Sequence, residues 1–150
     1  MATASRDEVE RAFKHYLQVG AFARDWNAWA DLFTEDAEYV EAQYGTFHGR
    51  EAIRTWITTV MAGVPDMYFP PPIWSLVDAG QVCFCIDNAY PNPQDPRGKP
   101  IAFPTVTYLK YAGNGLWSRE EDIYDVRASL AARAAFRAAG GNAAPAMEHS

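Results

Sequence analysis

Cysteine is scarce in this chain of 150 residues, and the two that occur are poorly placed for a disulfide. Cys83 and Cys85 lie two positions apart in a strand-like segment, so both thiols point to the same face. Free, buried thiols are the simpler expectation, and they suit a cytoplasmic protein. The polar N-terminus does not have the form of a secretory signal, which favours the same location.

Basic clusters and long apolar runs are also missing. The chain has 13 Lys and Arg against 19 Asp and Glu, for a net charge of −6. Nucleic acids and anionic membrane surfaces are bound by concentrated positive charge, so neither is an expected partner. No segment approaches the roughly 20 apolar residues that span a bilayer, so a membrane-embedded protein is not expected either.

Motifs for metals, nucleotides and covalent catalysis are not found. The three histidines are scattered without the paired spacing of a metal site, and a lone Cys-x-Cys is a weak metal signal. There is no GxSxG elbow, Walker loop or GxGxxG turn. We therefore expect no metal and no cofactor.

Aromatic residues, by contrast, are abundant. They make up 14% of the chain, and hydrophobic residues together make up 49%. This exceeds what a minimal core requires and suits a wide pocket lined with rings. We expect one domain over residues 1–140 and a flexible tail over residues 141–150, after the Gly140-Gly141 pair.

Capping signals and hydrophobic periodicity predict the elements. A capping box at Ser5 and a cap at Asp25 predict two N-terminal helices, the first to about Ala23 and the second over residues 26–33. The remaining predicted helices begin at residues 50 and 126, and the predicted strands cover residues 37–42, 67–78, 81–90, 101–111 and 116–124. Three consecutive prolines in the 67–78 segment predict an edge strand or a bulge. This order predicts an α+β fold with helices packed on one face of a curved sheet.

Two strands carry candidate acids. In the 37–42 strand, Tyr39 and Glu41 share one face, and a carboxylate on the inner face would have a raised pKa that suits a general base. In the 116–124 strand, Glu120 and Asp122 share one face and Glu121 takes the other. The alternatives are that a shift of register leaves Glu41 in solvent, and that the late acids only keep an edge strand soluble.

The other candidates are pocket residues. Asp87 and Asn88, at the end of a strand, form either a polar pair in the pocket or a turn, with the turn favoured. His48, before the third helix, either reaches the pocket mouth or caps the helix. Trp56, Phe84 and Phe103 are expected among the aromatic residues that line the pocket.

Four segments resemble the nuclear transport factor 2-like superfamily, in particular its SnoaL-like small-molecule enzymes: DWNAWADLFTEDAEYVE, FHGREAI, FPTVTYLKY and NGLWSREEDIYD. The resemblance implies a curved, antiparallel or mixed sheet wrapped around the N-terminal helices to form a cone-shaped pocket. It also implies roles for particular residues. Glu41 falls on the base of ketosteroid isomerases, and Tyr39 and Glu41 fall on the Tyr-x-Asn pair of limonene epoxide hydrolases. Asp122 falls on the water-activating base of those hydrolases.

The chain departs from both relatives at other positions. Cys85-Ile86-Asp87 stands where the epoxide hydrolases have Arg-x-Asp, so the arginine is missing. Thr107 stands where ketosteroid isomerases have a protonated acid. Tyr16 matches their first-helix tyrosine if one residue is inserted before Asp25.

The resemblance implies a cofactor-independent acid–base enzyme of the isomerase, cyclase or dehydratase (lyase) type. Its substrate would be an apolar polyketide, steroid or terpenoid. Glu41 or Asp122 would take a proton, and Tyr16, Tyr39 or Thr107 would hold the developing oxyanion. The alternative is a non-catalytic binding or subunit-interaction protein of the same fold. A homodimer across the outer face of the sheet fits both.

Overall fold

A computed structural model describes residues 3–146. The predicted elements occur in the predicted order, with two differences: residues 45–48 form a strand that was not predicted, and the segment predicted as a strand over residues 67–78 is a strand only from residue 74. The helices are α1 (Arg6–Leu17), α2 (Trp26–Ala30), α3 (Arg50–Ala62) and α4 (Val126–Ala138), and a π-helical turn, Gln18–Phe22, extends α1. The strands are β1 (Phe33–Glu41), β2 (Gly45–His48), β3 (Trp74–Asp78), β4 (Gln81–Tyr90), β5 (Ile101–Gly113) and β6 (Leu116–Ile123).

The predicted helix caps are confirmed. Ser5 Oγ accepts a hydrogen bond from the Glu8 amide at 3.2 Å, and Asp25 Oδ1 accepts one from the Ala28 amide at 3.1 Å. Each satisfies one of the amides that a helix leaves unpaired in its first turn. Local side-chain chemistry therefore fixes where α1 and α2 begin.

The predicted end of the second helix, at Phe33, is wrong. The helix stops at Ala30, and Phe33 is the first residue of β1. The Leu32 carbonyl accepts a hydrogen bond from the Trp117 amide at 2.8 Å, so pairing with a distant strand ends the helix early. Tertiary contacts of this kind override a short helical pattern.

The six strands form one mixed sheet in the order β2-β1-β6-β5-β4-β3. Only the β1–β6 pair is parallel. The segment with the prolines leads into β3 at the edge of the sheet, as predicted. Asn114 and Gly115 have φ values of 56° and 74°, which is the two-residue turn that joins β5 to β6 with the right twist. The α+β class and the curved mixed sheet are confirmed.

The helices cover one face of the sheet, and the core lies between them. Trp29, Phe33 and Trp117 are almost fully buried there. Phe136 of α4 stacks on Tyr90 of β4 with ring centroids 4.6 Å apart, forming a second cluster beside the main core. A cavity remains between these two clusters, and it holds the candidate site.

The C-terminal segment folds back after α4. The Ala144 amide donates to the Gly63 carbonyl at 2.8 Å, and residues 141–146 have no regular secondary structure. The flexible tail expected over residues 141–150 stays a prediction, and its last four residues lie outside the described part of the chain. Within residues 3–146, no helix is both long and apolar enough to cross a bilayer.

Candidate functional site

A cavity of about 150 Å³ lies between the concave face of the sheet and the helices. A cavity of this volume can hold a benzene-sized ring. Its walls are mainly aromatic, as the composition predicted, and include Trp26, Trp29, Trp56, Phe69, Phe84 and Phe103. The polar groups on the walls are few, so each of them restricts what can bind.

Asp122 of β6 is the central polar group. Thr107 Oγ1 donates to its Oδ1 at 2.7 Å, and the Tyr39 hydroxyl donates to its Oδ2. The sheet brings these residues together, because Asp122 is paired with Thr107 on β5 and with Glu41 on β1. Asp122 keeps partial exposure because it faces the cavity. It is therefore oriented by two donors and remains open to a ligand.

Glu120 lies beside Asp122 on the same face of β6. Its side chain is 2% exposed, and its Oε2 accepts a hydrogen bond from the Tyr16 hydroxyl at 2.8 Å. Burial, and then the nearby charge of Asp122, hold the pKa of Glu120 well above its ordinary range. Burial also raises the pKa of Asp122, but the hydrogen bonds from Tyr39 and Thr107 oppose that rise. The two environments differ, so a single proton shared by the pair would reside on Glu120.

The two tyrosines act as neutral donors. Burial first, and then the neighbouring carboxylates, raise the pKa of Tyr16 and the pKa of Tyr39 well above the ordinary tyrosine value. Both hydroxyls therefore keep their protons. They can hold a carboxylate, or a new oxyanion, without changing charge.

Glu41 also lies in the cavity wall, but its oxygens are more fully occupied. It is 5% exposed, and its Oε2 accepts from the Gln43 and Tyr44 amides, each at 2.7 Å. Its Oε1 accepts from the Tyr124 hydroxyl. Burial raises the pKa of Glu41, and these three donors oppose the rise. Glu41 therefore stabilises the turn from β1 to β2, and Asp122 is the better placed of the two acids to take a proton.

The structure turns both predicted acids inward. Most predicted site residues line this one cavity: Tyr16, Tyr39, Glu41, Trp56, Phe84, Asn88, Phe103, Thr107 and Asp122. Asn88 Nδ2 donates there to Thr105 Oγ1 at 2.5 Å.

Asp87 and His48 were candidates for the pocket, and the structure places them elsewhere. The turn favoured for Asp87 and Asn88 is also wrong, because both residues lie within β4. Asp87 alternates with Asn88 along β4, so when Asn88 faces the cavity Asp87 faces the outer side of the sheet. His48 ends β2 with an exposed side chain, and its Nδ1 lies 3.6 Å from Glu38 Oε2.

Strand alternation placed Glu120 on the face of Asp122 but predicted no separate role for it, and the structure adds its hydrogen bond from Tyr16. Two further residues of the site were not predicted: Tyr124 donates to Glu41, and Arg133 of α4 lines the cavity. The same alternation, continued from Asp122, would have indicated Tyr124. Helix α4 is too rich in alanine for its inner face to be read from the sequence, so nothing local indicated Arg133.

The sequence profile of the SnoaL-like domain matches residues 5–120. No curated protein matches the chain. Among solved structures, the chain is similar to a hypothetical protein with a ketosteroid isomerase-like fold from Catenulispora acidiphila, in complex with trimethylamine. The identity is 25% and the TM-score 0.60, over 75% of this chain and 88% of the other.

Two further structures have the same fold at lower identity. One is assigned as a SnoaL-like polyketide cyclase from Shewanella putrefaciens, with 16% identity and a TM-score of 0.68, over 84% of this chain and 85% of the other. The other is an LEH-like epoxide hydrolase of M. tuberculosis, with 16% identity and a TM-score of 0.62, over 83% of this chain and 87% of the other.

Proposed function

The chain belongs to the SnoaL-like domain family, and we propose that it is a cofactor-independent acid–base enzyme acting on an apolar small molecule. The family and the fold neighbours support a role in small-molecule processing. The observation that carries the finer proposal is the carboxylate pair on β6. Asp122 and Glu120 face one aromatic cavity with unequal hydrogen-bond partners, which suits one of them to be ionised while the other stays protonated.

In the proposed reaction, Asp122 takes a proton from a carbon next to a substrate carbonyl. The electron pair of the broken C–H bond moves to the carbonyl oxygen and forms an enolate. Protonation neutralises Asp122, which frees the hydroxyls of Tyr39 and Thr107 to donate to that enolate oxygen. Return of the proton to another carbon gives isomerisation. Attack of the enolate carbon on a second carbonyl of the substrate gives cyclisation, and the proton passes from Asp122 to the new alkoxide. Departure of a β-hydroxyl with that proton, as water, gives dehydration.

Epoxide hydrolysis by the Arg-x-Asp arrangement is not supported. The β4 side chains that face the cavity are Phe84, Ile86 and Asn88, none of which is an arginine or an acid. Asp87 faces away. We therefore assign Asp122 to proton abstraction from carbon rather than to activation of water.

Deuterium exchange into 2-tetralone tests the proposal without knowledge of the natural substrate. This apolar ketone has activated C–H bonds beside its carbonyl, and NMR follows the loss of their protons in D₂O. We expect the protein to accelerate exchange, and Asp122→Asn to reduce that acceleration by about 100-fold or more. Asparagine keeps one oxygen that accepts from Tyr39 or Thr107, and its amide can donate to the other hydroxyl, so folding should be retained.

Glu121→Gln is the matched control, since this acid lies next to Asp122 on the opposite face of β6, and it should leave the exchange rate unchanged. No acceleration by the wild-type protein, with 2-tetralone still bound, would favour the alternative of a non-catalytic binding protein. Equal acceleration by wild-type protein and Asp122→Asn would remove Asp122 from the proposed role.

We also propose that the protein forms a homodimer across the outer face of the sheet. Trp74, Leu76 and Ile123 lie on this face with 43%, 66% and 55% of their surface exposed. The strand register aligns Trp74 with Cys85, Cys85 with Val106, and Val106 with Ile123, so the apolar side chains form a row across four strands. Exposed apolar side chains that lie together on one face favour an interaction surface.

A further inference from the structure

Arg133 is the cationic side chain in the wall of the cavity that holds the carboxylate pair. It lies on α4 one turn after Ser129, and both side chains enter the cavity from the same face of the helix. Ala132 and Phe136 lie one turn apart on the same helix, and both are buried, which holds the helix in place. Arg133 therefore projects from a helix that is fixed against the sheet.

No carboxylate within residues 3–146 lies within 4.0 Å of the Arg133 guanidinium. Four other arginines have such a carboxylate partner: Arg6, Arg54, Arg119 and Arg127. Arg24 and Arg50 have none, but both donate to backbone carbonyls. Arg133 is half-buried in an aromatic wall. A cation that has lost water there and has no anionic partner is costly in free energy.

The carboxylates that share the cavity are already held by neutral donors. Glu41 accepts from Tyr124 and two amides, Asp122 accepts from Tyr39 and Thr107, and Glu120 accepts from Tyr16. None of these acids forms an ion pair with Arg133. The positive charge is therefore left for a ligand.

Two neutral tyrosine hydroxyls lie close to the Arg133 guanidinium. Burial raises the pKa of Tyr44 and the pKa of Tyr90, and hydrogen bonding to Arg133 together with its positive charge opposes the rise in both. These partners carry no negative charge, so they do not neutralise Arg133. Tyr44 lines the cavity with Arg133, and its ring lies 6.0 Å from that of Trp56. The end of the cavity that holds Tyr44 and Arg133 is therefore polar, and it adjoins the aromatic wall.

We propose that the substrate carries a carboxylate or an equally acidic group, which Arg133 binds while the apolar body lies against the aromatic wall and faces Asp122. This inference rests on the proposed function, since it names the substrate class for the same cavity. Guanidinium groups bind carboxylates through two parallel hydrogen bonds, which fixes orientation as well as affinity. Arg133 would then be a specificity-determining residue that sets which carbon reaches Asp122.

Binding of two matched probes tests the inference. Phenylacetate and phenylacetamide have nearly the same shape and differ in charge, and the tryptophans of the cavity wall report binding by fluorescence. We expect the wild-type protein to bind phenylacetate more tightly than phenylacetamide by roughly tenfold, the effect of one charge-assisted hydrogen-bond pair. Arg133→Met, which keeps the apolar stem, should abolish this preference, and Arg133→Lys should keep part of it.

Arg137→Met is the control, because Arg137 is exposed one turn further along α4 and its loss should leave the preference intact. Equal affinity of wild-type protein for the two probes, or an unchanged preference in folded Arg133→Met, would overturn the inference. If Arg133→Met does not fold, the affinities of the wild-type protein and of Arg133→Lys for the two probes still test the inference. The acid–base proposal is tested by deuterium exchange and this one by the binding preference, so failure of the one leaves a result distinct from failure of the other.

Discussion

Two carboxylates two residues apart on one strand acquire different chemistry from their neighbours. Both line the cavity, but Glu120 is almost fully buried and accepts one hydrogen bond from Tyr16, whereas Asp122 is partly exposed and accepts two. Desolvation favours the neutral acid, and donors favour the ionised form. At this scale, function depends on which carboxylate the protein leaves open to a ligand.

The buried carboxylate should make stability depend on pH. The folded-state pKa of Glu120 lies well above its value in the unfolded chain, so the unfolded chain loses this proton first as pH rises. The contribution is therefore fully present below the unfolded pKa and is lost as pH rises through the folded pKa. The raised pKa values of Asp122 and Glu41 act in the same direction. We expect the free energy of unfolding to fall as pH rises above the ordinary carboxyl pKa of about 4–5.

Glu120→Gln should reduce that fall by at least about 1 kcal/mol, because glutamine cannot ionise but still accepts from Tyr16. Urea unfolding at a series of pH values measures the effect. Glu121→Gln, with its side chain on the other face of β6, should keep the wild-type dependence. An unchanged dependence in Glu120→Gln would mean that this carboxyl is not desolvated in the folded protein.

At the scale of elements, the end of α1 shapes one wall of the cavity. The helix continues into the π-helical turn Gln18–Phe22, and Leu17 and Ala21 line the cavity from this segment. Single π-helical turns often occur beside functional sites. Gly20 lies within this turn, and its lack of a side chain lets the indole of Trp29 pack directly against the backbone.

Gly20→Ala should destabilise the protein by about 1–3 kcal/mol, the usual cost of overpacking. A methyl group at this position would lie 2.3 Å from Trp29 Cδ1, so α1 and α2 would have to move apart. Thermal or urea unfolding measures the loss. Adding Trp29→Phe should restore part of it in the double variant, because the smaller ring leaves room. A Gly20→Ala protein as stable as the wild type would show that the two helices are not closely packed.

At the scale of the whole molecule, the two faces of the sheet have separate roles. The concave face carries the core and the cavity, and the outer face carries the exposed apolar row that includes Trp74, Leu76 and Ile123. Because alternate residues of each strand face opposite sides, one set of strands supplies both surfaces. The outer row can therefore change without altering the cavity.

Light scattering after gel filtration should give a mass near twice the 16.7 kDa of one chain. Introducing charge into the row with Leu76→Arg together with Ile123→Arg should convert the dimer to a monomer, since like charges would meet across a two-fold interface. Leu130→Arg is the control, since Leu130 is also exposed, at 40%, but lies on α4. A wild-type monomer at high concentration, or a dimer that survives the paired substitution, would contradict the proposed interface.

Local chemistry was sufficient to predict most of the elements. The caps at Ser5 and Asp25, the Asn114-Gly115 turn and the alternation that puts Glu120 and Asp122 on one face depend only on nearby residues, and all are confirmed. The end of the second helix was predicted wrongly because it depends on Trp117, far along the chain.

What the sequence by itself determined is the α+β fold and the placing of Glu120 and Asp122 on one face of a strand, because periodicity and turn chemistry act over a few residues. Only the tertiary structure decided that this face turns inward, and which acid is free. Glu41 is occupied by Tyr124 and by the turn that follows it, and Asp122 is held between Thr107 and Tyr39 from two neighbouring strands. The tertiary structure also brought Arg133 to the cavity from α4. These contacts join residues that are far apart in the chain, so no local pattern encodes them.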